Sequence, residues 1–296
     1  MSGNSPLVSI VTPSYNQGRF IEDTLLSVKD QDYPSIEHIV VDGSSTDNTL
    51  EILRTYEGTY DMRWISEPDR GQSDAVNKGF GMAKGDIVGW LNSDDVYFDR
   101  HVVSYVVEQF DRTHDVDVIY GDGVLINEVN LILKVWHSIP WFDFSRLRRL
   151  DFIPQPSTFL RRNVILTHDI NVDLELAIDY DFWLKIARDG ATFQHVDRIL
   201  SAFRSHGAAK TNTRWEELQA ESKKVKQQYG QYFDAQYYAL LALDYLILVI
   251  LKIRGVKTIM GLYSNRGRGR DLAFHAEFDS LLGAAFRQAF RLRLYS

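Results

Sequence analysis

Short apolar runs alternating with helix-like stretches organise the first third of the chain. Leu7-Val8-Ser9-Ile10-Val11, Glu37-His38-Ile39-Val40-Val41, Met62-Arg63-Trp64-Ile65-Ser66 and Asp86-Ile87-Val88-Gly89-Trp90-Leu91 are brief and mostly apolar, the pattern of strands covered on both faces. Between them, Phe20, Leu25, Leu26 and Val28, then Leu50, Ile52 and Leu53, then Ala75, Val76 and Phe80 recur at roughly helical spacing. Asp32-Tyr33-Pro34 ends the first helix, because proline disfavours helical geometry in the residue before it. Thr46 or Asp47 is the expected N-cap of the second, and Ser73 or Asp74 opens the third. This alternation predicts a doubly wound, mostly parallel α/β sheet with helices on both faces.

Beyond Tyr97 the pattern loosens. A helix over Val102–Phe110 precedes a strand over Val116–Asp122, and Leu131–His137 pairs with that strand as a hairpin. Ile153-Pro154-Gln155-Pro156-Ser157 is a proline-punctuated loop. Asp179–Ala187 predicts an apolar-faced helix with Gly190 as its C-terminal glycine. A strand over Ala191–Val196 leads to Ala202–His206, and Arg214–Tyr229 predicts a polar helix. Tyr237–Ile253 is very apolar, interrupted by Asp244. It falls short of the roughly 20 residues that span a bilayer, so it is expected to be a helix buried against the core or a second copy of the chain, or one lying at a membrane interface.

Charge changes this picture at one end. The net charge is −7, yet Lys252–Ser296 holds nine Lys/Arg against three Asp/Glu. That stretch includes Arg266-Gly267-Arg268-Gly269-Arg270 and a last amphipathic segment with Leu281, Leu282, Phe286 and Phe290 beside Arg287, Arg291 and Arg293. An anionic membrane surface is the expected partner. The acidic main body argues against nucleic acid. The 296 residues lack cysteine, which excludes disulfides and thiolate metal sites. The polar start, Met1–Pro6, shows no secretory signal, so a cytoplasmic protein, peripheral on the inner face of the membrane, is expected.

The chemistry concentrates where the fourth apolar run ends, at Asn92-Ser93-Asp94-Asp95. Strand ends of an open α/β sheet project into the ligand-binding crevice. Adjacent carboxylates repel each other unless a cation compensates. Hard divalent ions are commonly shared between carboxylates and substrate phosphates. Asp94 and Asp95 are therefore candidates for a metal–diphosphate site, with Asp42 at the end of another strand of the same sheet.

Five segments in order carry a resemblance to a known family. Val8-Ser9-Ile10-Val11-Thr12-Pro13-Ser14-Tyr15-Asn16 and Ile39-Val40-Val41-Asp42-Gly43-Ser44-Ser45-Thr46-Asp47 come first. Glu67–Gly79 follows with Gly85-Asp86, then Leu91-Asn92-Ser93-Asp94-Asp95, then Asp179-Tyr180-Asp181-Phe182-Trp183-Leu184 with Arg204-Ser205-His206 beyond it. Together they resemble the family-2 glycosyltransferases of A-type fold, over roughly Leu7–Thr211.

The resemblance implies an inverting, metal-dependent transfer from a nucleotide-sugar, a UDP-sugar by family preference, to a saccharide or lipid-linked saccharide in surface-polysaccharide assembly. It implies residues 1–212 as the catalytic domain, with a nucleotide-sugar half over about 1–98 and an acceptor half over about 99–212, and 213–296 as a helical, basic extension. Asp179 is the implied base. Thr12, Pro13, Tyr15, Asp42, Arg70, Asp74, Asn92 and Ser93 would line the donor pocket, and Gln155 and Ser157 the acceptor side. Asp94 would hold Mn²⁺ or Mg²⁺ with His206. Asn92 stands where the family's Asp-x-Asp motif has its first Asp, which leaves the division of labour between Asp94 and Asp95 open. A nucleotidyltransferase would show a Gly- and Lys-rich loop that Thr12–Gly18 lacks, and an oxidoreductase a Gly-x-Gly-x-x-Gly. A non-catalytic nucleotide-sugar-binding scaffold is the remaining alternative, and Asn92 speaks for it.

Overall fold

The computed structural model describes residues 5–231, 233 and 235–264. The expected basic run at Arg266–Arg270 and the last amphipathic segment lie outside the described residues. Strand β1 (Val8–Ser14) is buried at all seven positions. It is followed by α1 (Ile21–Lys29), β2 (Ile36–Asp42), α2 (Thr49–Tyr56), β3 (Met62–Ser66), α3 (Gln72–Met82) and β4 (Ile87–Trp90). These four strands pair in parallel in the order β3-β2-β1-β4. Val11, Ile39 and Val41 face one core with Ala75, Val76 and Phe80 of α3. Val40 turns the other way, toward Ile21 and Leu25 of α1 and Leu53 of α2. Both faces are thus dry, and that is why these strands read as continuous apolar runs rather than alternating ones.

The remaining elements are β5 (Val96–Tyr97), α4 (Val102–Arg112), β6 (Val118–Ile126), β7 (Ile132–Trp136), α5 (Phe144–Arg149), a 3₁₀ turn over Gln155–Ser157, β8 (Thr158–Arg161), α6 (Arg162–Thr167), α7 (Ile178–Arg188), β9 (Phe193–Arg204), α8 (Lys210–Thr213), α9 (Trp215–Gln228) and α10 (Ala235–Ser264). They extend the sheet to nine strands among the described residues, in the order β3-β2-β1-β4-β8-β6-β9-β5 with β7 on β6. The second half is mixed. β8 runs antiparallel to β4 and β6, whereas β9 runs parallel to β6. The expected hairpin is β6–β7, with Trp136 opposite Gly123. The strand expected over Ala191–Val196 instead runs twelve residues to Arg204.

Two helix starts differ from expectation. Asn48 occupies the N-cap of α2, and Asp47 acts one step earlier, accepting the Thr49 and Gly18 amide protons. Gly71, at φ 107°, caps α3, a conformation that costs glycine nothing. Gly190, at φ 101°, follows α7 as its C-terminal glycine.

Over residues 235–250 the apolar helix α10 is buried on one side only, so it both packs on the core and presents an open apolar face. Tyr237 and Asp244 face inward, while Leu243, Leu246, Val249 and Ile250 stand about half exposed. Asp244 is what seats the helix. Its carboxylate accepts from Arg146 Nε at 2.8 Å and from Arg149 Nε at 3.1 Å, both on α5.

Candidate active site

The site grows from the carboxyl ends of the parallel strands. Past β4 the chain turns through Asn92–Asp95, and Asn92 is the hub of that turn. Its Oδ1 accepts from Trp90 Nε1 at 3.0 Å and Gln72 Nε2 at 2.8 Å, and its Nδ2 donates to Asp95 Oδ2 at 3.2 Å and Gln155 Oε1 at 2.9 Å. A carboxylate cannot donate, so an Asp here would forfeit two of the four. The side chain that departs from the family motif is thereby explained by its surroundings.

Asp94 and Asp95 separate completely. Asp94 Oδ2 lies 3.0 Å from His206 Nε2, just past the end of β9. Asp95 turns inward instead. Its Oδ1 accepts the Arg204 amide proton at 2.9 Å, and burial, then the charge of Asp94, raises its carboxyl well above the usual range. The carboxylate expected as a second metal ligand thus ties the β4 turn to the end of β9. A hard divalent cation takes carboxylate oxygen and imidazole nitrogen, and Asp94 with His206 supplies one of each. Among the described residues no group of three His, Cys, Asp or Glu side chains is placed to bind metal, so a cation here would take further ligands from substrate oxygens. An open cavity of about 530 Å³ lined by Asn127, Glu128, Val129, Ser205, His206 and Gly207 adjoins this pair.

Arg204 had no assigned role in the sequence. It is buried, and it donates from Nε to Asp94 O at 2.9 Å, from Nη2 to Asp23 Oδ2 at 2.9 Å and from Nη1 to Asn130 Oδ1 at 2.5 Å, with its guanidinium 5.0 Å from the Phe20 ring centroid. One arginine thus ties the β4 turn, α1 and the β6–β7 hairpin around the Asp94–His206 pair.

On the donor side, Thr12 and Pro13 are buried at the end of β1 and Tyr15 stands exposed beyond them. Asp42 is fully buried. Its Oδ2 accepts from Ser45 N at 2.9 Å and Ser66 Oγ at 2.7 Å, and its Oδ1 from Ser45 Oγ. The carboxylate expected at the donor's base thus braces the loop after β2 and holds Ser45 and Ser66 at the end of the strand. Arg70 and Asp74 pair at 3.3 Å at the start of α3, with Arg70 largely exposed. Ser93 is buried.

The candidate base lies in the first turn of α7. Asp179 Oδ1 accepts the Tyr180 amide proton at 2.8 Å, and burial raises its carboxyl to about 6. Asp151 is raised further, by burial first and then by the charge of Asp179. Its Oδ1 is buried without a hydrogen-bond partner. Asp181 points away, toward the Tyr229 hydroxyl at 3.2 Å. Glu221 of α9 was also silent in the sequence. Its carboxylate accepts the amide protons of Glu175, Leu176 and Ala177 at 3.1, 2.7 and 2.6 Å, holding the segment that leads into α7. That helix leans on α3 through Phe182 and Phe80, with ring centroids 6.1 Å apart.

The two acceptor-side candidates are inside. Gln155 donates to Trp90 O and is tied to Asn92. Ser157, fully buried, donates to Asp122 O at 2.8 Å and meets Ser201 Oγ at 2.6 Å. Ser157 thus knits β6 to β9.

Comparison with known proteins agrees with this architecture. Residues 9–163 match the profile of Glycosyl transferase family 2. The chain is 29% identical over 219 residues to a chondroitin synthase of Pasteurella multocida, covering 74% of this chain and 22% of that protein. It therefore spans less than a quarter of the length of that relative. In three dimensions it is similar to S. aureus TarS 1–349 in complex with UDP-GlcNAc, with a TM-score of 0.62, 18% identity and coverage of 81% of this chain and 71% of the other. It is also similar to a mannosyltransferase from Pyrobaculum calidifontis in complex with GDP-Man and Mn²⁺, with a TM-score of 0.61, 17% identity and coverage of 99% and 82%. The fold is the A-type glycosyltransferase fold, and the chain belongs to glycosyl transferase family 2.

Proposed function

We propose that the protein is an inverting, metal-dependent glycosyltransferase that moves a sugar from a nucleotide-sugar, a UDP-sugar in the first instance, to a saccharide or lipid-linked saccharide in polysaccharide synthesis. The observation that carries this reading is the Asp94–His206 pair at the end of the fourth strand of a family-2 chain. In it, residues 1–212 are the catalytic unit, with donor side over about 1–98 and acceptor side over about 99–212. The extension 213–296 reaches back through Glu221 and meets an anionic membrane surface.

Asp94 and His206 would hold Mn²⁺ or Mg²⁺, which when bound neutralises the charge that builds on the departing diphosphate. Asp95, Asn92 and Arg204 keep the turn rigid, so that Asp94 needs no reorganisation. Arg70, mostly exposed, has reach toward the donor's phosphates. Asp179 takes the proton from the acceptor hydroxyl as that oxygen attacks the anomeric carbon. One base opposite the leaving group makes the displacement in-line, and configuration inverts.

The test is a panel of nucleotide-sugars scored for thermal stabilisation with and without Mn²⁺, since a ligand that prefers the native state raises apparent stability. Hits are then assayed for transfer and for hydrolysis of the donor. Metal-dependent stabilisation by one donor is expected. Indifference to every donor removes the reading.

A further inference from the structure

Among the described residues, the outward face of α10 gathers several exposed apolar side chains on one helix. Tyr238, Leu243, Tyr245, Leu246, Val249 and Ile250 are each about half exposed or more. Set at 100° per residue, they lie on one broad side of the helix, opposite Asp244. Isolated exposed apolar residues are unremarkable, but a contiguous row marks a surface that something covers. Among the described residues no helix is long and apolar enough to cross a membrane, and Asp244 is clamped by two arginines of the folded domain.

The sequence says what kind of surface complements it. From Lys252 to the end, nine basic residues face three acidic ones, whereas the rest of the chain is acidic overall. Tyrosines favour the boundary between hydrocarbon and water, where an amphipathic ring satisfies both sides. A rigid helix with an apolar outer row, boundary tyrosines and adjoining positive charge matches an interfacial helix on anionic lipid. A second copy of the chain would bring a second set of the same positive charges to the contact and is disfavoured by their repulsion.

We propose that α10 docks the protein in plane on an anionic lipid surface, with Leu246, Val249 and Ile250 entering the acyl boundary and the following basic residues meeting the headgroups. The inference deepens the membrane contact of the proposed function by naming the helix face that makes it, and it rests on that reading. α10 is pinned to α5, and α5 is pinned to the base-bearing helix, because Tyr180 OH donates to Leu147 O at 2.7 Å. Docking would therefore orient the acceptor side toward lipid, which suits a lipid-linked saccharide.

Flotation of the full chain with vesicles of phosphatidylcholine containing a quarter phosphatidylglycerol, against pure phosphatidylcholine, tests this directly. The parent is expected to float with the anionic vesicles and to remain behind with the neutral ones. Leu246→Glu/Val249→Glu is expected to lose about tenfold or more in partitioning, and Arg266→Gln/Arg268→Gln/Arg270→Gln likewise about tenfold or more. Circular dichroism and melting should show both variants folded, since Leu246 and Val249 are already in solvent. Failure of the parent to float overturns the proposal, as does flotation of the double Glu variant equal to the parent. So does light scattering that finds a dimer which the double Glu variant dissociates. Docking without transfer to any acceptor would instead count against the proposed function alone.

Discussion

His206 Nε2 stands 3.0 Å from Asp94 Oδ2 across 112 residues of chain. The approach is enforced from both ends. Asp94 sits on a turn locked through Asn92, and His206 follows the last residue of β9, Arg204, whose amide and guanidinium bind that same turn. Neither side chain would have to travel to hold the proposed cation. Asp94→Asn removes the charged donor and is expected to lower kcat/KM by about a hundredfold, a few kcal/mol of charge stabilisation. His206→Ala is expected to cost about tenfold, with part of the loss recovered at higher Mn²⁺. Activity measured across a Mn²⁺ titration separates the two, and equal activity of Asp94→Asn and parent would end the metal assignment.

The pH dependence follows from Asp179 as the proposed base. Its carboxyl is raised to about 6 by burial, and a base works only when ionised. The acid limb of kcat/KM should therefore have an apparent pKa near 6, with activity rising as pH increases through it. Asp151 and Asp179 interact, so the limb belongs to the pair. Asp151→Asn should retain turnover, whereas Asp179→Asn should abolish it.

Stability runs the opposite way. A carboxyl raised above its unfolded value binds more protons in the native state, so stability is greater at low pH and is lost as pH rises from about 4 to about 6. Asp179→Asn should thus stabilise the protein at neutral pH by on the order of 2 kcal/mol, read as a higher melting temperature that vanishes near pH 4. An inactive variant melting below the parent at neutral pH would contradict the burial assigned to Asp179.

Which features were legible in the sequence follows from the range of the interactions behind them. β1, β2 and β4 announced themselves because burial on both faces leaves uninterrupted apolar runs, and Gly190 because only local geometry decides a helix end. The antiparallel insertion of β8 between β4 and β6 left no such trace, since pairing direction is not written in burial. The five ordered motifs pointed to the family, but not to what each side chain touches. Asp94 and Asp95 are neighbours in sequence and face opposite environments. Arg204 and Asp23 lie 181 residues apart, and Glu221 acts on a segment 44 to 46 residues upstream. Such contacts are properties of the finished fold. The same holds for the bonds that Asp42 makes to Ser66 and Ser157 to Ser201, both formed between separate strands of the sheet.

Asn92 yields a prediction that runs against the family motif. Restoring an acid with Asn92→Asp removes both donors of the amide and sets a new carboxylate 3.2 Å or so from Asp95, which is itself buried. Leaving a buried acceptor unsatisfied costs about 1–3 kcal/mol, and like-charge repulsion adds to it. The variant should melt lower than the parent at neutral pH, and the deficit should shrink in acid as the new pair takes up a proton. An Asn92→Asp protein as stable as the parent across this range would show that the four-way network around Asn92 is not what holds the turn.

Asp244 decides whether α10 belongs to the fold. It is almost completely buried between Arg146 and Arg149, which are themselves largely covered. Removing one member of a buried ion pair strands the others, at a cost of about 3–5 kcal/mol. Asp244→Ala should therefore destabilise the protein by about 3 kcal/mol, or release α10 while the sheet stays folded. The sheet core does not depend on this clamp, so release is the cheaper outcome. Limited proteolysis should then cut Asp244→Ala between α9 and α10 under conditions that leave the parent intact, while the remaining domain keeps its cooperative melt. Asp244→Asn, which still accepts hydrogen bonds but loses the charge, should fall between the two. A protease pattern identical for all three would mean that α10 is seated by its apolar contacts alone and that the carboxylate contributes nothing to its docking.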